Sequence, residues 1–422
     1  MSLADFKEVI LPLREQETVK NRWLEERLDT VIPQVMNRSD FDMWLIICNE
    51  YNEDPVLMSM LPATSMGARR LTILVFAKKD DGTVERFSVD RYGQGKYFET
   101  QWKPDKEGQW ECLARLIKER DPQKIGVNYS STFAFGDGMS YSTAALLNDA
   151  LGEEYMGRCA SAENLAVGWL ETRTDSELAA YPTLVKMGHA LIADTFSSRV
   201  IQPGVTTTED VKWHMRQKIH DMGLQAWFHP SCELQAPGQS FEFLQKPQRK
   251  LILPGDLLWC DVGFYYLGLA TDQQQHAYVL KAGETDAPEG LKNALSDTNH
   301  LQDIHMRHME VGKTGNEVLA KALEEAKIFG LDGQIYSHPL GFHGHAAGPT
   351  IGLWDQQDGV AGRGDYPIYD STVYSIELNL SKKIPEWDNQ TVRIQLEEDA
   401  VMKDGKIDWL DGRLHKDYHI IG

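Results

Sequence analysis

Five residues in the last third of the chain, Asp261, Asp272, His345, Glu377 and Glu397, are of the types that a two-cation hydrolytic site needs. Four carboxylates and one imidazole could hold two divalent cations around a bridging water. Such a pair turns that water into a nucleophile near neutral pH. Hard oxygen ligands with a single nitrogen suit Mn, Co, Zn or Fe.

Asp261 and Asp272 stand eleven residues apart in DVGFYYLGLATD. If the two halves pair as antiparallel strands about a turn near Leu267-Gly268, both side chains face one way across the ladder. Like charges directly opposite each other destabilise such a pair, and a cation removes the conflict. The competing reading is a solvated hairpin in an acidic protein. Asp261 follows the apolar run LLWC and Asp272 leads into AYVL, and a carboxylate inside a core is costly unless compensated. Gly263 removes a side chain next to the expected cation.

The stretch SHPLGFHGHAAGP contains His338, His343 and His345. On a strand His343 and His345 would face the same side. Both could then touch one cation, or one could ligate while the other serves the substrate. The surrounding Gly and Ala residues leave room for a ligand, against the alternative of a polar glycine-rich loop. His189 and His276 read as surface or satisfied core histidines. Glu377 lies in VYSIELNL and Glu397 follows VRIQL, each a carboxylate on a largely buried strand that needs a partner. That partner is a cation or Arg393. Glu397 and its neighbour Glu398 would point to opposite faces of a strand.

The order Asp, Asp, His, Glu, Glu at these spacings resembles the pita-bread metallopeptidase family, which includes methionine aminopeptidase, Xaa-Pro aminopeptidase and prolidase. The resemblance runs from about residue 170 to 410 and implies an α+β pita-bread catalytic domain. The preceding part looks like the smaller creatinase-type α/β N-terminal domain of the prolidase and aminopeptidase P branch, which methionine aminopeptidases generally lack. The resemblance implies that Asp261 chelates one metal and that Asp272 and Glu397 bridge two. It makes His345, in His345-Ala-Ala-Gly348, the histidine ligand. Glu377 becomes a ligand close to the nucleophilic water and its proton acceptor.

Three features depart from the family pattern. A substrate-binding histidine usually precedes the first aspartate by some seventeen residues, and FEFLQKPQRKLILPGDLLWC has none. A second histidine usually follows the histidine ligand by seven residues, which from His345 falls on Gly352. Glu377 is followed by Leu-Asn instead of Pro-Gly. His229, His338 and His343 are the candidates to contact substrate and stabilise the oxyanion. The implied activity is hydrolysis of short peptides by a metal-bridging hydroxide, as an Xaa-Pro aminopeptidase or dipeptidase. Two cations, Mn by preference, and a homodimer go with it. The alternatives are a metal-dependent lyase or non-peptide amidohydrolase on the same fold, or an inactive peptide-binding module.

These residues need a framework, and 422 residues are too many for one typical core, so two domains are expected. Residues 1–165 alternate helix and strand signals: VKNRWLEERLDTVIPQVMN, FDMWLIICNE, the pair LTILVFAKK and ERFSVDRY about Asp80-Asp81-Gly82, WECLARLIKER, KIGVNYS and TAALLNDALGEEY. Residues 166–422 begin with a long helix from about Thr174-Asp175, which Pro182 should kink or interrupt. A second helix follows from Thr208-Glu209-Asp210. Two strand-rich blocks then flank a helical stretch from about 294 to 330, an α+β pattern.

The formal net charge of −20 argues against a phosphate-backbone partner and against an anionic membrane surface. Five scattered cysteines without a CxxC pattern read as reduced thiols, not a zinc site or disulfide framework. No apolar run approaches the ~20 residues of a membrane span. The polar N-terminus lacks a signal core, so a cytoplasmic location is expected; Met1-Ser2-Leu3 is also compatible with a leader removed upstream.

Overall fold

The computed structural model describes residues 3–6, 8–239, 249–413 and 415–422. The chain divides into two compact units, Pro12–Ser176 and Glu177–Gly422, the latter together with the segment through Leu11. That segment includes one turn of helix, α1 (Leu3–Phe6).

The first unit is a five-stranded mixed sheet. Its elements are α2 (Leu13–Asn37), β1 (Met43–Asn49), α3 (Pro55–Met60), β2 (Leu71–Lys78), β3 (Val84–Ser88), α4 (Gln109–Arg120), β4 (Ile125–Val127), α5 (Tyr141–Met156), β5 (Cys159–Ser161) and α6 (Glu163–Glu171). The strand order is β3-β2-β1-β4-β5, with β1–β4 and β4–β5 parallel. Six consecutive residues of β1 are buried, so both sheet faces are covered. Met43, Leu45 and Ile47 face the apolar sides of α4 and α5. From the other face, the Trp44 indole donates to Asn128 at 2.8 Å, and Asn128 donates to Asp54, which caps α3. The division at Ser176 lies beyond the expected 165/166 boundary because α6 packs on α2 and α3 and belongs to the first unit.

The second unit opens with α7 (Asp175–Thr195) and α8 (Thr208–Asp221), the latter capped by a Thr207–Asp210 box. Contrary to the expected break, α7 is helical through Pro182. Strands β6 (Gln225–Ala226), β7 (Ser231–Gln235), β8 (Leu257–Val262), β9 (Phe264–Tyr266), β10 (Leu269–Ala270) and β11 (Gln273–Val279) come next. Then follow α9 (Glu289–His308), α10 (Gly315–Ile328), β12 (Gly333–Ile335), β13 (His338–Leu340), β14 (Thr372–Ser375), β15 (Leu378–Ile384), β16 (Gln390–Leu396), β17 (Asp399–Lys403), β18 (Lys406–Trp409) and β19 (His419–Ile421). All pairings but β11–β19 are antiparallel.

Four long ribbons are each interrupted once. The hairpin around Leu267-Gly268 breaks at Gly263 on one side and at Thr271–Asp272 on the other, so β8–β11 and β9–β10 belong to different sheets. The ribbons β14–β15 and β16–β17 break at Ile376–Glu377 and at Glu397–Glu398. A break re-aims the side chains beside it. Asp272, Glu377 and Glu397 all sit at such breaks.

Candidate metal centre

The register of β8 and β11 pairs Asp261 with Gln274 and continues to place Asp272 across from Gly263. Strand alternation therefore turns Asp261, Asp272 and Gln274 to one face, with the two aspartates diagonal rather than directly opposed. In the other ladder, Leu378 pairs with Leu396 and Ser375 with Asp399, so Glu377 and Glu397 face each other across the break. A backbone bridge between Gln274 and Glu397 brings the two pairs of acids together.

His338, at the start of β13, completes the cluster. Its Nε2 lies 3.6 Å from Glu397 Oε1, 3.8 Å from Asp272 Oδ2 and 3.9 Å from Glu377 Oε2. Three overlapping groups have ligand atoms within 4.8 Å of one another: Asp261–Asp272–Glu397, His338–Glu377–Glu397, and Asp272–His338–His345. The first two share Glu397, and Asp272 links the first to the third. Together they give two adjacent positions, each offering several donor atoms.

Electrostatics shows why this cluster calls for cations. Burial, followed by the charge of Glu397, pushes Asp261 and Asp272 well above the ordinary carboxylate range. Burial and Glu397 do the same to Glu377. Nearby Asp399 is raised by burial and by Glu398. Among the described residues, no Lys or Arg lies within ion-pair distance of the four acids. Arg393, the alternative partner for the glutamates, donates instead to Gln334 at 2.7 Å. Asp261 Oδ1, Asp272 Oδ1 and His338 Nε2 are buried and make no hydrogen bond. Buried, unpartnered donor atoms on acids kept from ionising by each other fit divalent cations.

Two of the candidate histidines, His338 and His345, meet the acids. His338, read from sequence as a substrate contact, reaches three of the carboxylates. His345, read as the ligand, is exposed; its ring stands edge-on to His338 at 4.6 Å and its only carboxylate neighbour in the groups is Asp272. His345 lies seven residues after His338. That is the spacing the family pattern puts between its histidine ligand and the next histidine. His343 belongs to none of the groups, and the alternation expected for His343 and His345 does not hold, because the chain leaves strand geometry after Leu340. His229 is exposed, packs on Trp213 of α8, and is also in none of the groups. Residues 240–248, where the family's upstream histidine would fall, lie outside the described residues.

The expected roles of the small residues also change. A Cβ on Gly263 would lie 2.1 Å from Trp227 Nε1, and one on Gly344 would lie 2.2 Å from the Trp227 ring. The space left by both glycines is taken by Trp227, whose indole donates to Thr271 at 3.0 Å and whose ring meets His345 edge-on at 5.1 Å. Glu398 turns away from the cluster as expected and bonds His189 at 2.5 Å, with Asp411 on the other ring nitrogen. Burial lowers the His189 pKa, but these two acids outweigh it and raise the value overall. His276 is buried between the Leu258 and Gln395 carbonyls. Four residues at the site were missed in the sequence: Gln274, Ser375, Asp399 and Trp227. The first three carry no signal apart from the register of their strands.

Residues 185–404, just over half of the chain, match the model of metallopeptidase family M24. The chain belongs to that family of metal-dependent peptide hydrolases. No curated protein sequence matches. Among solved structures, the chain is similar to an X-Pro aminopeptidase from Thermotoga maritima, with 15% identity and a TM-score of 0.64, covering 92% of this chain and 100% of that one. It is similar to an Xaa-Pro dipeptidase from Bacillus anthracis, at 18% and 0.63, covering 94% and 100%. A dipeptidase PepE from Mycobacterium ulcerans gives 16% and 0.63, covering 95% and 98%. At such identities the likeness is one of fold, and the fold is the α+β pita-bread fold with its preceding α/β unit.

Proposed function

We propose that this protein is a two-cation exopeptidase or dipeptidase of the Xaa-Pro type, acting on short peptides. The observation that carries the reading is the set of overlapping donor groups built on Asp272, His338 and Glu397. Asp261, Asp272 and Glu397 would hold one cation, and Asp272, His338, Glu377 and Glu397 the other. Bound there, two cations supply Lewis acidity to a scissile carbonyl and an activated water.

The remaining work falls to the chain itself. Glu377, only partly buried and at the edge of the cluster, takes the proton released by the attacking water at its Oε2 and passes it to the leaving amine. His345 has one open side; burial of the rest and the nearby His338 lower its pKa to about 4. It is therefore neutral at pH 7 and can donate an N–H to the tetrahedral oxyanion. Trp227 closes one side of this histidine and excludes water from it. Mn as the native cation, a homodimer and a cytoplasmic location belong to the same proposal; light scattering of the purified protein tests the dimer.

The test is hydrolysis of dipeptides and tripeptides, with and without proline in second position, by protein stripped with EDTA and reloaded with Mn, Co or Zn. Cation-dependent turnover of the Xaa-Pro peptides is expected. The absence of turnover by fully loaded protein would contradict the reading. A non-peptide amide or lyase substrate is the second reading, motivated by Glu377-Leu-Asn and the missing upstream histidine.

A further inference from the structure

We propose that Gln274 is a positioning residue that fixes which oxygens of Glu377 and Glu397 face the cations. The proposal rests on the two-cation reading above. Gln274 is buried on β11, and its uncharged amide enters the cluster beside two of its acids. Its Nε2 donates to Glu377 Oε1 at 2.6 Å and to Glu397 Oε2 at 2.8 Å. Its Oε1 accepts from the Trp259 indole at 3.0 Å. These three contacts define the orientation of the amide. Flipped, it would set its carbonyl against two carboxylates and its NH2 against an N–H, losing all three bonds.

With one oxygen of each glutamate engaged, the other two, Glu377 Oε2 and Glu397 Oε1, are the ones turned toward His338. The Ser375 hydroxyl also donates to Glu397 Oε1. The main chain of Gln274 bonds that of Glu397 in both directions, at 3.1 and 3.4 Å, so backbone and side chain of one residue hold the same glutamate. Glu377 and Glu397 face each other across their ladder, and without a donor between them two like charges would rotate apart. A Lys or Arg in this place would also hold them, but its charge would compete with the cations. A neutral amide with two N–H donors orients both carboxylates and leaves their charge for the metals. Trp259 acts one step further out, by keeping the amide from turning.

The experiment uses the full chain stripped with EDTA and titrated with Mn in a calorimeter, beside thermal melts of stripped and loaded protein. Gln274→Ala should weaken Mn binding about tenfold or more, the size typical for lost partners of metal ligands. Trp259→Phe should weaken it less, and melts of stripped Trp259→Phe should match the wild type. At saturating Mn the peptide KM of both variants should stay near the wild-type value. Unchanged Mn affinity in Gln274→Ala, with stripped and loaded melting points lowered equally, would reduce the amide to packing and overturn the proposal. If Gln274→Ala does not fold, Trp259→Phe decides alone: weaker Mn binding supports the proposal and wild-type binding overturns it. A wild-type protein that takes up no Mn overturns the two-cation reading and this inference with it. Wild-type uptake with unaffected variants overturns the inference only.

Discussion

The clustered acids Asp261, Asp272, Glu377 and Glu397 lie too close together to be ionised at once without an added positive charge. In stripped protein that charge is protons; in loaded protein it is cations. Replacing one acid by its amide therefore has opposite effects on the two forms. Asp261→Asn spares the stripped protein the proton uptake that burial and Glu397 impose on this acid during folding near neutral pH, so it should melt about 2–4 °C higher, as ~1 kcal/mol of relief does in a domain of this size. The same change should cut the stabilisation gained from Mn, and differential scanning calorimetry with and without Mn measures both. A stripped variant that melts lower than the wild type would count against charge crowding. The acids were legible in the sequence because carboxylates beside apolar runs stand out. The choice between His338 and His345 was not, because both fit a loose histidine-glycine pattern and only the seven-residue interval separates them.

At the scale of elements, the site depends on strands that stop and restart. Each break lets a ladder change sheets, and the acids beside it turn to a common centre. Sequence periodicity revealed the strands but not the breaks, since a run such as VYSIELNL reads as one strand and is two, β14 and β15. The loop carrying Trp227 is another element that had no signal, because its fit depends on two glycines distant in sequence. Gly344→Ala would drive a methyl group into the Trp227 ring, so it should cost about 1–3 kcal/mol. Adding Trp227→Ala should recover part of that loss. A double-mutant cycle from urea melts checks this coupling, and strictly additive losses would rule it out. The helix α7 carries a related lesson: Pro182 near its start did not end it, because the apolar face on either side is buried.

Across the whole molecule, the raised acids set how stability varies with pH. Asp261, Asp272, Glu377 and Asp399 keep protons in the stripped folded state that the unfolded chain releases above about pH 4. Their contribution is complete below that pH and is lost as pH rises toward their folded values. Buried neutral imidazoles work the other way. His276 and His419 are lowered by burial from 6.5 to about 4 and His305 to about 3, so their contribution grows as pH rises from those values to 6.5 and is complete above it. Above pH 6.5 these lowered imidazoles no longer contribute a slope, whereas His189, raised by Glu398 and Asp411, loses its contribution in both forms; beyond that common loss, the stripped protein should lose more stability than the Mn-loaded protein between pH 6.5 and 8. Melting points in the two states across that range check it; parallel curves would mean the cations do not replace these protons. The two-unit division was legible from length and element pattern, whereas its boundary depended on the packing of α6, which composition does not encode.

If Asp261, Asp272, Glu377 and Glu397, with His338 as the imidazole, hold two cations in one chain, the ions can be counted. Calorimetric titration of EDTA-stripped wild type, His338→Ala and His345→Ala with Mn should give two ions per chain in the wild type, loss or strong weakening of one in His338→Ala, and both retained in His345→Ala. A wild type that binds none, or a loss confined to His345→Ala, would contradict that assignment.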